Sequence, residues 1–417
     1  MEEEDVDLQL DEMELVAAAA GYYYHALLTT SSPRYSFPNG LKFMSQVVDF
    51  SDDLFRDTFR MDKRVFHSLC ATLRRHRSLR DTAGVMIEEQ VAIFLNVIGH
   101  NERNRVVQER FRHSGETISR YFNLVLRAVK SLSREVLVPP HFSTPDEILR
   151  SRRFNPYFKD CIGAIGSMHI PAHVPTKDQS RFRDKKGHLM QNILAACTFD
   201  MQFIFVSPGW EGSADDSRVL RAVLTDPGQN FPPIPDGKYY LVNMGYSNTD
   251  QFVAPYVGTR YHVREFKGAN RLPWNSKELF NHRHSSLGIA IRKSFEALKT
   301  RFPILRVAPQ YAFHIQRDIV IAACVLHNYI KREEGDDWLF LRINELASEE
   351  FDYSDSQPDA QSDSPVQVDF ASSRRESIAA AMWDDFAGST VVLSPFTQIL
   401  SCVNPNDKLS SFILRVR

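Results

Sequence analysis

Five histidines, His169, His173, His188, His282 and His284, are the side chains here best suited to chemistry at a metal, because neutral imidazole is a good zinc ligand. The plainer reading, and the one taken here, makes them surface or DNA-contacting residues, so no metal site is assigned. The five cysteines, Cys70, Cys161, Cys197, Cys324 and Cys402, are scattered and include no C-x-x-C pair. That excludes a disulfide framework and a cysteine-based zinc site, and fits a reducing compartment. Two basic sets could hold phosphates. One is Arg103, Arg105, Arg110, Arg112 and Arg120. The other is Arg181, Arg183, Lys185 and Lys186, in the run Arg181-Phe-Arg-Asp-Lys-Lys-Gly187. Both could equally be solvated faces.

The elements that would carry these residues follow from charge and periodicity. The chain has 417 residues and a net charge of −2, so its overall charge selects no partner. Its distribution is uneven. Glu2 to Glu14 is densely acidic, Arg56 to Arg153 is arginine-rich, and Glu333 to Asp369 is acidic with Arg342 as its one basic residue. Such asymmetry suggests a part facing nucleic acid beside acidic tails. The apolar stretch Val16 to Leu28 is too short to span a bilayer and follows acids, not a basic leader. A soluble chain with no membrane and no small-molecule substrate is expected.

Residues 1–49 read as an acidic, disordered start with a short helix. Residues 50–138 read as helical. Val65, Phe66, Leu69, Leu73 and Leu79 keep a helical rhythm, and Glu88–His100 is a second apolar helix. In 104–122 a short helix ends near Phe111, a turn holds Ser114 and Gly115, and a second helix opens near Thr117. That is the helix-turn-helix pattern, with Glu116, Ser119, Arg120 and Asn123 near the start of the second helix. A plain helical hairpin would look the same.

Pro139, Pro140 and Pro156 mark 139–160 as a linker. Short apolar runs then suggest strands at Cys161–Ile165, Asn192–Phe199, Phe203–Val206 and Tyr239–Val242. Helices are expected near Asp215–Leu224, Ser285–Thr300 and Ile315–Arg332. The fold class expected for 161–335 is mixed α/β, a central sheet flanked by helices. Residues 336–370 read as an acidic disordered linker. In 371–417 a short amphipathic helix at Glu376–Phe386 puts Ile378, Met382, Trp383 and Phe386 on one side, as an element that docks on a partner or back on the body of the protein.

Several segments together resemble plant Harbinger/PIF-type transposases and the proteins derived from them. They are FRMDKRVFHSLC ending at Cys70, HNERNRVVQERFRHSGETISRYF (100–122), CIGAIGSMHIP (161–171), GWEGSADDSRVL (209–220), YYLVNMGYSN (239–248), and NHRHSSLGIAIRKSFEALKTRFPIL (281–305) followed by HNYIKRE. The resemblance covers roughly residues 50–335, plus RRESIAAAMWDDF.

It implies an RNase H-like DDE domain preceded by an all-α, helix-turn-helix-like domain. It also implies DNA cleavage with two divalent metals, Mg²⁺ or Mn²⁺. Hard cations need carboxylate oxygens, and in-line phosphoryl transfer needs two of them close together. The family's first Asp, in D-G-T-H, falls on Gly166. Its second, in L-V-D-x-G-Y, falls on Asn243, and its Glu, in I-E-R-T-F, falls on Arg292. Only Asp216, matching an additional family acid, remains. Glu296 lies one turn after Arg292, displaced about 6 Å along a helix.

The resemblance thus implies a transposase-derived nuclear protein with a degenerate triad. Such a protein would be nuclease-inactive, need no cofactor, and bind DNA with a Myb/SANT-like DNA-binding protein or a chromatin complex. A working metal-dependent endonuclease and a decaying transposon copy are the alternatives.

Overall fold

A computed structural model describes Phe43, Val47, residues 51–349 except 83, 140–142, 262, 267–271 and 336, and residues 373–392. The expectations for the first 42 residues, for 350–370 and for the chain after 392 lie outside the described residues.

The N-terminal part is helical: α1 (Asp52–Phe59), α2 (Lys63–Arg75), α3 (Ile87–His100), α4 (Asn104–Phe111) and α5 (Gly115–Ser131). In α2 the apolar residues recur every three or four positions, and Val65, Phe66, Leu69, Cys70 and Leu73 are all buried. The two expected helices and the tight turn between them are present. Arg112, at φ 56°, closes α4 in the left-handed region, and the Ser114 hydroxyl caps α5 by accepting from the Thr117 N–H at 3.2 Å.

The second part is a five-stranded mixed sheet in the order β3-β2-β1-β4-β5. Its strands are β1 (Cys161–Pro171), β2 (Met190–Cys197), β3 (Phe203–Glu211), β4 (Tyr239–Val242) and β5 (Phe252–Val253). β1 is antiparallel to β2 and parallel to β4. Four long helices follow β3 or close the chain: α6 (Asp216–Thr225), α7 (Ser276–Arg301), α8 (Phe313–Glu334) and α9 (Trp338–Glu349), with α10 (Ser373–Val392) beyond them. α7 packs on β1 and β2, α8 on β3, and α6 against β2. Separate apolar clusters on the two sheet faces hold these layers. This is the RNase H-like arrangement. Among the described residues no helix is long and apolar enough to cross a membrane.

Several boundaries differ from expectation for physical reasons. β1 runs on from Ile165 to Pro171 because its alternation continues through small and polar residues that hide the pattern. β3 continues beyond the expected end at Val206, past Pro208 and Gly209, by means of a register irregularity opposite Asn192.

The two expected domains share one apolar core that extends from Val47 to Met382. The Phe122 and Tyr311 rings stack at 5.0 Å, Lys130 meets Asp318 at 2.5 Å, and Asn328 donates to the carbonyls of Val136 and Phe203. The expected linker 139–160 is partly built in: a helical turn at Asp146–Leu149 buries Ile148, and Phe158 is buried too.

The expected disordered linker is also corrected over its first part. Residues 338–349 are helical, with Leu339, Phe340 and Ile343 buried. Asp337 forms a buried ion pair with Arg301, whose guanidinium also donates to the Arg60 carbonyl at 2.7 Å. Acidic composition concealed an amphipathic start. At the C-terminus, α10 lies on α7 and buries Arg375, Ala379 and Met382. Trp383 and Phe386 are half-buried against the main core. Of the two expected dockings the stripe therefore takes the one on the body of the protein, because Ala379 and Met382 continue it into the core.

Candidate functional site

The three positions singled out by the motif comparison meet in one cleft of about 200 Å³, between α7 and the paired strands β1 and β4. Gly166 sits inside β1 opposite Ala195, and Asn243 is the exposed residue directly after β4. Arg292 lies on α7, whose residues His284, Gly288, Ile291, Arg292, Phe295, Glu296 and Lys299 line the cleft. Their spacing of three or four residues is one face of a helix. The parallel pairing of β1 with β4 aligns Ile165 with Val242, which brings Gly166 and Asn243 to neighbouring strand positions.

The side chains present do not fit a pair of divalent metals. Gly166 offers no ligand, and a Cβ there would lie 3.2 Å from both Ile291 Cγ1 and Cγ2, so a side chain would require Ile291 to give way slightly. The Asn243 amide oxygen is neutral and already accepts from the Gly245 N–H at 2.9 Å. Arg292 brings a fixed positive charge. Among the described residues lining the cleft, Glu296 is the sole acid, and Lys299 stands 3.7 Å from it. Among the described residues no group of three or more His, Cys, Asp or Glu is placed to hold a metal.

Asp216, the remaining family acid, opens α6 and accepts from the Asn192 amide at 3.2 Å. Burial raises its carboxyl pKa above the usual range, against the lowering effect of its bond with Ser167. Side chains alternate along a strand, so Ser167 points to the sheet face opposite Gly166. There its hydroxyl meets the Tyr246 hydroxyl at 2.6 Å. Asp216 is thus separated by β1 from Glu296.

The histidines do not converge. His169 bonds the Gly212 carbonyl at 3.1 Å, His173 is exposed, and His188 is exposed beside Asp184. His282 stacks on Phe266, and burial followed by the charge of Arg153 pushes its imidazole pKa down to about 4. His284 is fully enclosed. Its Nε2 donates to the Val253 carbonyl at 3.0 Å, and burial pushes it to about 4. The neutral ring therefore keeps Nδ1 as a bare acceptor, which has no partner among the described residues.

Of the first arginine set, Arg103, Arg105, Arg112 and Arg120 are exposed on the α4–α5 surface, and Arg127 joins them one helical face further on. Arg110 does not belong with them. It is half-buried and held by Asn96 at 2.7 Å and Glu102 at 3.3 Å, because its place on α4 faces α3. In the second set Arg181 is neutralised by Glu211, and Arg183 donates to the Gly187 carbonyl at 2.6 Å. Lys185 and Lys186 are exposed in the turn. Sequence reasoning missed Lys299, Gly288 and Tyr261 as cleft residues. The first two were accessible from helical spacing relative to Arg292.

Residues 165–328 match the DDE superfamily endonuclease family, and residues 36–131 match a family described as a domain of unknown function. The chain is 24% identical over 304 residues to “Protein ALP1-like” of Arabidopsis thaliana, covering 66% of this chain and 70% of that protein. It is 27% identical over 179 residues to “Putative nuclease HARBI1” of Rattus norvegicus, covering 42% of this chain and 47% of the relative. The Bos taurus protein of the same name also gives 27% over 179 residues. The chain thus spans about half the length of these mammalian relatives. No solved structure matches.

Proposed function

We propose, from the match of residues 165–328 to the DDE superfamily endonuclease family, that this chain is a transposase-derived nuclear protein that binds DNA and does not cut it. One observation carries the reading: all three positions where the family's acids would stand meet in one cleft, and they hold Gly166, Asn243 and Arg292. Mg²⁺ and Mn²⁺ would find a positive charge there in place of ligands, so no cofactor is needed.

DNA would be held instead on the helical part. Exposed Arg103, Arg105, Arg112 and Arg120 stand around the turn between α4 and α5, where phosphate contacts position a helix-turn-helix on a duplex. A Myb/SANT-like DNA-binding protein or a chromatin complex supplies sequence choice in this reading. Its contact lies away from the inner stripe of α10.

The test uses the full chain, because the helical part shares its core with the sheet. A labelled duplex should bind with an affinity that falls steeply with salt. Four phosphate contacts give a slope of log K against log salt of roughly −3 to −4. Changing Arg103, Arg105, Arg112 and Arg120 together to Ala should flatten that slope towards zero. A slope unchanged by the fourfold variant would move the DNA contact elsewhere, and duplex that never binds would overturn the reading.

A further inference from the structure

We infer that the acidic start of the chain, Glu2–Glu14, seats itself on the arginine surface of α4 and α5 and competes there with DNA phosphates. This rests on the DNA-binding reading above and supplies the regulation of that surface.

The surface suits anions, and the fold leaves it open. Arg103, Arg105 and Arg112 stand on or beside α4, and Arg120 and Arg127 stand about two turns apart on α5. All five are exposed. Arg105 reaches Glu109 at 3.7 Å, but the two side chains are 89% and 73% exposed, so the pairing is weak. The Arg120 guanidinium lies 5.1 Å over the Tyr121 ring, a contact that does not cancel its charge. Arg103, Arg112 and Arg127 have no ion-pair partner among the described residues.

Charge and attachment together select the occupant. Eight carboxylates and no basic residue lie between Glu2 and Glu14. Guanidinium groups pair with carboxylates through the same parallel N–H bonds that they offer to phosphates, so one surface can hold either. The chain also joins the body at this surface. Phe43 packs edge-on against Phe111 at 5.1 Å, and the Arg110 guanidinium lies over its ring at 5.8 Å. Phe111 ends α4 directly before Arg112, and α4 is only about 12 Å long.

About 30 residues separate Glu14 from Phe43, and an unstructured chain of that length has an end-to-end distance of roughly 30 Å. Both helices are therefore within reach of the acids. The second acidic run, 350–369, follows α9, which packs on α7 instead.

Tethering at that range gives an effective concentration on the order of 1 mM, so a segment with a Kd of about 0.1 mM in trans would be seated about ten to one. Duplex must displace it, which lowers duplex affinity about tenfold at low salt. Screening weakens the seating, so the difference closes as salt rises.

The experiment compares the full chain with a variant in which the eight acids of Glu2–Glu14 are changed to their amides. A labelled duplex at about 50 mM salt should bind the variant about tenfold more tightly. A labelled peptide of residues 1–20 is the second probe. It should bind the variant with a Kd of about 0.1 mM and the parent about tenfold more weakly, because the parent's own segment holds the seat. Changing Arg103, Arg105, Arg112 and Arg120 together to Ala in the variant should abolish peptide binding, and added duplex should release the peptide. Comparison of parent and variant keeps the test open if the arginine changes prevent folding.

A peptide that does not bind the variant overturns the inference, and so does duplex affinity that loss of the acids leaves unchanged. An equal gain in duplex affinity on changing the acids of 350–369 to amides would show general repulsion of DNA and would also overturn it. Salt-dependent duplex binding would in each case still support the broader reading. Peptide that binds through the four arginines, with duplex that never binds, supports the seat and overturns the DNA reading alone.

Discussion

Asp337→Ala is expected to lower stability by about 3–5 kcal/mol, enough to unfold much of the protein at moderate denaturant. Arg301 and Asp337 are 1% and 0% exposed in their side chains. Burial alone lowers the Arg301 pKa from its ordinary value, and Asp337 opposes that shift. Removing the carboxylate leaves a guanidinium in the core without its counter-ion. It also removes the cap that accepts from the Leu339 N–H at 2.8 Å. The pair joins α7 to α9, and Arg301 reaches the Arg60 carbonyl beside α1, so three elements loosen together. Replacing both ions, as Arg301→Met with Asp337→Leu, should cost much less than the single change, because no charge is then stranded. Denaturant midpoints measure both. A single variant within about 0.5 kcal/mol of the parent would show that the pair does not bear on stability.

The second large effect is acid lability. His327 is fully buried, with Nε2 donating to the Met201 carbonyl at 2.8 Å, and burial pushes its imidazole pKa down to about 3. His284 is pushed down to about 4. In the unfolded chain both titrate near the ordinary value of about 6.5. Above that pH both states are neutral and stability is full. Below it the unfolded state binds protons that the folded state does not, so stability falls as pH drops from about 6.5 towards 4 and 3.

At pH 5 the loss is about 2 kcal/mol for each imidazole. Glu334 has the opposite sign. Burial and the neighbouring Asp62 raise its pKa to about 8, so its stability contribution declines as pH rises towards that value. Comparing His327→Gln with its parent at each pH cancels the carboxylates. The variant's midpoint should drop less between pH 7.5 and pH 5, by about 2 kcal/mol of stability. Parallel curves would show that His327 is not held neutral by the fold.

Much of this architecture could be read from sequence where one periodicity dominated. The rhythm of α2, the Ser114 and Gly115 turn before α5, and the runs of β2 and β4 each carried a clear local signal. Elements with mixed signals were misjudged. In β1, Gly166, Ser167 and His169 interrupt the apolar run although the strand continues. In α9, acidic neighbours concealed Leu339, Phe340 and Ile343. No local pattern could reveal that Phe122 stacks on Tyr311, because such contacts across distant segments depend on the whole fold. That is why the shared apolar core of the two parts was not foreseen.

The site was legible position by position through its motifs. Gly166, Asn243 and Arg292 do share a cleft, but spacing alone could not show Ile291 closing over Gly166. Nor could it place Asp216 on the opposite side of β1. Docking of Trp383 and Phe386 on another protein or back on the body was left open for a related reason, and the structure shows the second: an amphipathic stripe states that a face will be covered, and not by what.

Plasmid cleavage tests the central claim most directly. Purified protein with Mg²⁺ or Mn²⁺ should leave supercoiled DNA intact, and calorimetry should find no divalent metal bound in the cleft. The informative companion restores Gly166→Asp, Asn243→Asp and Arg292→Glu together. Ile291→Ala is added to relieve the close contact, since Ile291 lies 3.2 Å from any Cβ at position 166. Metal binding by that fourfold variant, and none by the parent, is the result predicted. Nicking by the unmodified protein that Asp216→Ala abolishes would contradict the account and establish a rearranged nuclease.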